Sequence, residues 1–107
     1  MTVAPLGPRF ISMIVEISKD VDAEVALARV YQALGEPTRL RIVRLLARHD
    51  SLSCGEMTDE LGINCSTLSH HLALLHDAGL VGRQKRGTFR IYRLHREVLD
   101  RFAPAAF

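Results

Sequence analysis

Apolar residues recur at helical spacing along most of this chain and alternate only near its end. A broad apolar face predicts a first helix from about Asp20 to Leu34, and Gly35 follows it. A second predicted helix begins at Pro37, because proline suits the first turn, and ends near His49. Two consecutive amphipathic helices therefore begin the predicted fold.

The stretch before the first predicted helix lacks this regularity. Residues 1–9 contain two prolines and a glycine and predict a loose arm, whereas residues 10–18 fit either a short strand or the start of a helix. A chain of 107 residues seldom supports two independent cores. We therefore expect an N-terminal arm over residues 1–20 and one folded domain over residues 21–103.

A capping pattern predicts a short third helix. Ser53 and Glu56 stand three residues apart, so that each side chain can accept a hydrogen bond from the other's backbone amide. This helix ends about Gly62, and a turn of roughly three or four residues follows. Asn64 or Ser66 can cap the next helix, so the segment forms a candidate helix-turn-helix.

The fourth predicted helix has one apolar side and one slim polar side. Leu68, Leu72 and Leu75 recur at i, i+4 and i+7 and predict its core face. Gly79 stands where a helix commonly ends in a left-handed residue. Short polar side chains on the other faces let a backbone approach closely, which suits insertion into a groove.

The last part of the chain predicts a basic β-hairpin and a short final helix. Alternation on both sides of Gly87 indicates two strands, and apolar residues at helical spacing follow over residues 96–102. Basic residues concentrate in the hairpin without an acid among them: Arg83, Lys85, Arg86, Arg90 and Arg93. We thus expect a mostly α fold with a small β-hairpin.

Composition narrows the class of protein. A hydrophobic share of 48% and a charged share of 24% are ordinary for a globular domain. No apolar run approaches the roughly 20 residues of a membrane helix, and two cysteines fit a reducing compartment, so we expect a cytoplasmic protein without a membrane partner. Neither a phosphate-binding glycine loop nor paired carboxylates are present, which argues against an enzyme.

Three blocks in order resemble the ArsR/SmtB family of small bacterial repressors: "ALGEPTRLRIVRLLA", "STLSHHLALLHDAGLV" and "GTFRIYRL". The resemblance covers roughly residues 25–102. It implies a winged helix-turn-helix fold and a homodimer held by its first and last helices. It also implies repression of an operon until an inducer releases the protein from a pseudo-palindromic operator in double-stranded DNA.

Within this resemblance, the fourth helix enters the major groove and the hairpin contacts phosphates or the minor groove. His71 lies about 100° around the helix from His70, nearer the leucine face, and we expect it to be at least half-buried and hydrogen-bonded. The predicted DNA-binding residues are Ser66, Thr67, Ser69, His70, Arg83, Lys85, Arg86 and Arg90. The predicted dimerisation residues are Leu27, Val30, Tyr31, Val98, Leu99 and Phe102.

The inducer sites of the family are only partly matched. The arsenic and lead signature has two cysteines flanking one residue, but Ser53 and Gly55 occupy those positions here and Cys54 lies between them. The zinc-type site needs ligands about three turns into the last helix, beyond Phe107, and His95 alone does not replace it. The resemblance therefore leaves the inducer and any metal ligands unknown.

Cys54 and Cys65 are the candidate sensing residues. Each lies at or beside a predicted helix N-terminus, where the dipole and free amides lower the pKa of a thiol. Oxidation of these thiols, or a metal ion or arsenite bound to them, are alternatives to plain buried cysteines. Because the third helix should separate the two positions by about 10 Å or more, an intrasubunit disulfide is expected to be difficult.

A second function stays open from the residues alone. The same fold can serve as a winged-helix protein-interaction module without sequence-specific DNA binding. The basic hairpin favours DNA, because binding to phosphates releases counterions and depends steeply on salt. The salt dependence of binding to duplex DNA therefore separates the two hypotheses.

Overall fold

The computed structural model describes the backbone of residues 8–103 and the side chains of residues 21–103. Within that range the chain forms helices and a small antiparallel sheet, as the sequence predicts. In chain order the elements are α1 (Pro8–Leu34), α2 (Pro37–Ala47), β1 (Leu52–Ser53), α3 (Cys54–Leu61), α4 (Cys65–Asp77), β2 (Val81–Arg86), β3 (Phe89–Leu94) and α5 (Arg96–Phe102).

Helix α1 is longer than the apolar pattern predicts. It begins at Pro8, so the predicted start near Asp20 is wrong, and of the two alternatives for residues 10–18 the helix is the one adopted. A proline at the first helical position leaves no unsatisfied amide and therefore does not interrupt the helix. Residues 1–7 of the predicted arm lie outside the described residues, and the domain boundary at residue 20 stays a prediction.

The sheet has the strand order β1-β3-β2. Strands β2 and β3 form the predicted hairpin, here called the wing, with Val81 opposite Leu94 at its base and Arg86 opposite Phe89 at its tip. Strand β1 pairs with β3 through only two residues, and such a short strand has no alternation from which to predict it. It attaches the start of α3 to the wing.

The core lies between α2, α4 and the base of the wing. The predicted leucine face of α4 is confirmed, because Leu68, Leu72 and Leu75 are at most 1% exposed. Apolar residues from every described element complete the core: Val30, Ala33, Leu34, Ile42, Val43, Leu45, Leu46, Leu52, Met57, Leu80, Val81, Tyr92, Leu94, Leu99 and Ala103. The burial of its leucines therefore fixes the side of α4 that faces solvent.

A left-handed glycine directs the chain from α4 into the wing. Gly79 has a φ of 81°, as its position after the helix predicts. Its amide donates to the carbonyl of His76, and the amide of Leu80 donates to that of Leu75 over 3.0 Å. Leu80, the residue before β2, is therefore held in the core where the wing begins.

The core assignment predicts very different losses of stability for substitutions at two adjacent leucines of α4. Leu75→Ala removes a fully buried side chain and should lower the free energy of unfolding by about 2–5 kcal/mol. Leu74→Ala is the matched control, because Leu74 is 38% exposed and its loss should change stability by about 0.5 kcal/mol or less. Urea unfolding of both variants measures the difference, and equal losses would contradict the assignment.

Candidate nucleic-acid interface

The outer face of α4 is a slim polar surface. Ser66, Thr67, Ser69 and His70 are all exposed, as predicted, and Ala73 continues the same surface with a side chain no larger than a methyl group. Because these side chains are small, the axis of α4 can come close to a groove. These residues present hydroxyl and imidazole groups, which can donate to or accept from base edges and phosphates.

The first turn of α4 is capped by Asn64. Its side-chain oxygen accepts from the amide of Thr67 over 2.7 Å, which decides between the two predicted caps. Because Asn64 satisfies this amide, the hydroxyl of Ser66 is not needed as the cap. Asn64, which precedes α4, therefore holds the exposed first turn of this helix in place.

Helix α3 begins with the predicted capping box. The amide of Ser53 donates to Oε1 of Glu56 over 3.0 Å, and the amide of Glu56 donates to Oγ of Ser53 over 3.2 Å. Gly62 ends the helix with a φ of 66° and starts the turn into α4. The helix-turn-helix is therefore defined at its start by a capping box and at its turn by a left-handed glycine.

A polar network on the opposite side of α4 was missing from the sequence analysis. Nη1 of Arg39 donates to Nδ1 of His71 over 3.3 Å, and Nε of Arg39 donates to the carbonyl of Ala33 over 2.6 Å. The side chain of His71 is 13% exposed, which confirms its predicted burial and hydrogen bonding. One arginine therefore joins the end of α1 and the start of α2 to α4.

Glu36 completes this network. It caps α2 by accepting from the amide of Arg39, and its Oε2 lies 3.8 Å from Nδ1 of His71. Desolvation alone would raise the pKa of Glu36, but hydrogen bonds from Thr38 and Arg39 lower it below the ordinary range. The Glu36–Pro37 pair before an apolar helix was the sequence signal for this cap.

The wing projects the predicted basic residues into solvent. Arg83, Lys85, Arg86 and Arg90 are exposed, and Lys85 lies directly opposite Arg90 in the register. Like charges at opposed positions destabilise a hairpin in the absence of counterions. The wing is therefore electrostatically suited to a polyanion.

His95 anchors the base of the wing. Its Nδ1 donates to the carbonyl of Gly79 over 3.0 Å. Nε2 of the same ring lies 2.6 Å from where a Cβ on Gly82 would stand, so a side chain at this position would have to displace the ring. His95 thus has a packing role.

Among residues 21–103, no group of three or more histidine, cysteine or acidic side chains is arranged to hold a metal ion.

The two cysteines lie much closer together than the sequence analysis predicted. Their Sγ atoms are 4.0 Å apart, so the expected separation of about 10 Å or more is wrong. That estimate counted only the rise along α3, whereas the turn at Gly62 reverses the chain and returns the start of α4 to the start of α3. Cys54 is half-buried and Cys65 is exposed.

The pKa of Cys54 shifts in the opposite direction to the predicted one. Burial raises it, and the neighbouring Cys65 thiol raises it further. A hydrogen bond with Ser69 and the charge of Arg90 lower the pKa without reversing the shift. The surroundings of Cys54 therefore include two of the predicted DNA-binding residues.

The predicted dimerisation residues fall into different environments. Val30 and Leu99 are buried in the chain's own core, whereas Leu27, Val98 and Phe102 are half-buried. Tyr31 is 53% exposed and its hydroxyl donates to the carbonyl of Phe102 over 2.7 Å, which joins α1 to α5. Their role between subunits stays a prediction.

Helix α1 also exposes apolar side chains that were not among those predictions. Val21 is 52% exposed and Val25 is 49% exposed. They stand one helical turn apart and so share a side of the helix.

None of the helices in the described part of the chain is long and apolar enough to cross a membrane.

Comparison with known proteins agrees with this geometry. A family model described as a helix-turn-helix domain matches residues 34–83. The chain is 43% identical over 65 residues to MJ1325, an uncharacterized HTH-type transcriptional regulator of Methanocaldococcus jannaschii, covering 61% of this chain and 73% of that protein. It is 34% identical over 74 residues to the arsenical resistance operon repressor of Staphylococcus xylosus, covering 69% and 70% respectively.

A solved structure extends the similarity to almost the whole chain. The homodimeric winged helix-turn-helix DNA-binding domain Mb0332 from Mycobacterium bovis, a possible ArsR-family regulator, matches with a TM-score of 0.68 and 28% identity. The match covers 95% of this chain and 85% of that one. The predicted winged helix-turn-helix fold is thereby confirmed.

The capping box at the start of α3 predicts a pH-dependent contribution to stability. Hydrogen bonds from Ser53 lower the pKa of Glu56 in the folded state. A lowered pKa stabilises the fold above the ordinary carboxyl range, and this contribution is lost as the pH falls through the folded-state value. Glu56→Gln keeps an acceptor oxygen but cannot titrate, so wild type should exceed it in Tm at pH 7 and lose that advantage at about pH 3.

Thermal unfolding followed by circular dichroism at constant ionic strength measures this difference. Glu60→Gln, near the other end of α3, is the control because it removes the same charge away from the cap. A Tm difference between wild type and Glu56→Gln that does not change with pH would contradict the role of the ionised carboxylate.

Proposed function

Because this chain belongs to the ArsR/SmtB family of winged helix-turn-helix transcriptional regulators, we propose that it is a homodimeric repressor that binds a pseudo-palindromic operator and leaves it when an inducer acts. The observation that carries this proposal is the exposed face of α4, with its small polar side chains, beside a wing that has several exposed positive charges and no acidic residue. Each half of this surface supplies a different part of DNA binding.

Helix α4 supplies sequence readout. The major groove is about 12 Å wide and admits one α-helix, and each base pair presents a distinct set of donors and acceptors there. The hydroxyls of Ser66, Thr67 and Ser69 and the imidazole of His70 are the groups that reach base edges or adjacent phosphates. The leucine core and the contact between Arg39 and His71 hold the helix at a fixed angle for this purpose.

The wing supplies affinity that does not depend on sequence. Arg83, Lys85, Arg86 and Arg90 contact phosphates or the minor groove, and the released counterions make this binding steeply salt-dependent. The repulsion between Lys85 and Arg90 across the hairpin is relieved when phosphates lie against them. The wing therefore stabilises the complex while α4 selects the site.

A dimer provides two such surfaces. Symmetric dimers bind half-sites about 34–36 Å apart, or one helical turn of DNA, which accounts for a pseudo-palindromic operator. The apolar side chains that α1 exposes at Val21 and Val25 supply contact area between subunits, together with the predicted residues of α1 and α5. The relative Mb0332 is a homodimer, which supports this arrangement.

Release requires an inducer that acts on one state of the protein more than the other. The thiols of Cys54 and Cys65 are the candidate receptor, because they lie 4.0 Å apart beside Ser69 and Arg90. An oxidant, arsenite or a soft metal ion reacts with thiols and would alter the surface next to the DNA contacts.

Two substitutions separate the parts of the proposed interface. His70→Ala should weaken binding to the DNA upstream of the protein's own gene by about 5- to 150-fold, which corresponds to about 1–3 kcal/mol for a base contact, and leave binding to unrelated duplex DNA unchanged. Arg86→Ala should weaken both complexes equally and reduce the slope of log affinity against log salt by about 1.

Fluorescence anisotropy over a range of salt concentrations measures these effects with reduced protein. Arg48→Ala is the control, because it removes one exposed positive charge at the end of α2 and not on the wing. Binding of wild type to duplex DNA without any salt dependence would instead support the protein-interaction module.

The proposed subunit contact is tested on α1. Val25→Glu places a charge on the exposed apolar side and should raise the dissociation constant of the dimer at least about tenfold, or 1.4 kcal/mol. Ala23→Glu adds the same charge about 200° around the helix and should leave the dimer intact. Sedimentation equilibrium measures both constants, and equal dimerisation of the two variants would place the interface elsewhere.

A further inference from the structure

We propose that Cys54 and Cys65 of one subunit form a reversible disulfide when a peroxide oxidises them, and that this bond lowers the affinity of the protein for DNA. The first part rests on the geometry of the helix-turn-helix alone, whereas the second part rests on the proposed function. The bond joins the first residue of α3 to the first residue of α4.

The two sulfur atoms are placed for this bond by the fold. They are 4.0 Å apart, and a disulfide needs about 2.05 Å, so they must approach by about 2 Å. The cysteines are separated in sequence by α3 and its turn, yet the reversal at Gly62 makes them neighbours. Both helix starts are capped, by Ser53 and Asn64, so the pairing depends on ordered backbone.

The order of the two steps follows from exposure. Cys65 is exposed and meets peroxide first: its thiol loses a proton, the thiolate forms a bond to one peroxide oxygen, the O–O bond breaks, and the leaving hydroxide takes up that proton as water. The sulfur of Cys54 then attacks the resulting sulfenic acid, the S–S bond forms, the S–O bond breaks, and water leaves with the proton of Cys54. Two thiols and one hydrogen peroxide thus give one disulfide and two water molecules.

Two neighbours of Cys54 partly offset the effect of its burial on the second step. A hydrogen bond with Ser69 and the positive charge of Arg90 favour its thiolate, opposing the burial that raises its pKa. Ser69 and Arg90 belong to α4 and to the wing, the two parts of the proposed DNA interface. The reaction centre and the DNA-binding surface therefore share these two side chains.

The bond should reduce DNA binding through a small displacement. Cys65 directly precedes Ser66 and Thr67, which carry the proposed base contacts. Hydrogen bonds to bases tolerate only about 2.7–3.2 Å between heavy atoms, so an approach of the sulfurs by about 2 Å can move the first turn of α4 out of reach. Because linkage is reciprocal, DNA should disfavour the disulfide by the same factor.

The experiment compares reduced and peroxide-treated protein. We expect oxidised wild type to lose both free thiols and the mass of two hydrogen atoms, as a monomer on a non-reducing denaturing gel. Its operator affinity should fall at least about tenfold and recover with dithiothreitol. Cys54→Ser and Cys65→Ser, each compared with its own reduced form, should form no intrachain bond and lose less affinity.

The outcomes separate the bond from its effect. Thiols that remain free, or a covalent dimer in place of an internal bond, would overturn the pairing of Cys54 with Cys65. A disulfide that leaves operator affinity unchanged would overturn its effect on DNA. If reduced wild type binds no DNA, the proposed function and the effect on DNA fail together, while the mass and thiol count still decide whether the bond forms.

Discussion

The burial of one face of α4 is the constraint on which the rest of the structure depends. Leu68, Leu72 and Leu75 enter a core built by α2 and the base of the wing, and each contributes buried apolar area from the one apolar face of this helix. The opposite face is then forced into solvent, where its short polar side chains lie. The hydrophobic effect thus orients the helix, and the groups proposed to read DNA are exposed as a consequence.

Polar contacts add to the hydrophobic core in fixing the positions of α4 and the wing. Arg39 binds both Ala33 and His71, so the corner between α1 and α2 restrains α4 at the edge of its leucine face. His95 fills the space beside Gly82 and holds the base of the wing against the end of α4. The recognition surface and the basic wing are therefore positioned relative to each other by side chains that do not themselves contact DNA in the proposed complex.

The helix-turn-helix places two thiols beside residues of the proposed DNA interface. Reversal of the chain at Gly62 places two thiols side by side, next to Ser69 and Arg90. A change in covalent bonding there acts on the first turn of α4 directly and needs no long pathway through the protein. This arrangement differs from the cysteine pair of the family's arsenic signature, which Ser53 and Gly55 replace in this chain.

The sequence by itself determined the helices after residue 20, the wing, the capping box and the exposed face of α4, because these depend on local spacing and on residues such as Gly79 whose backbone preference is strong. Tertiary structure alone decided the rest. The two-residue strand β1 has no alternation to detect, and the contact of Arg39 with His71 joins segments far apart in sequence. The proximity of the cysteines was missed for the same reason: rise along a helix is a local quantity, whereas the direction of the chain after a turn is set by what the next helix buries.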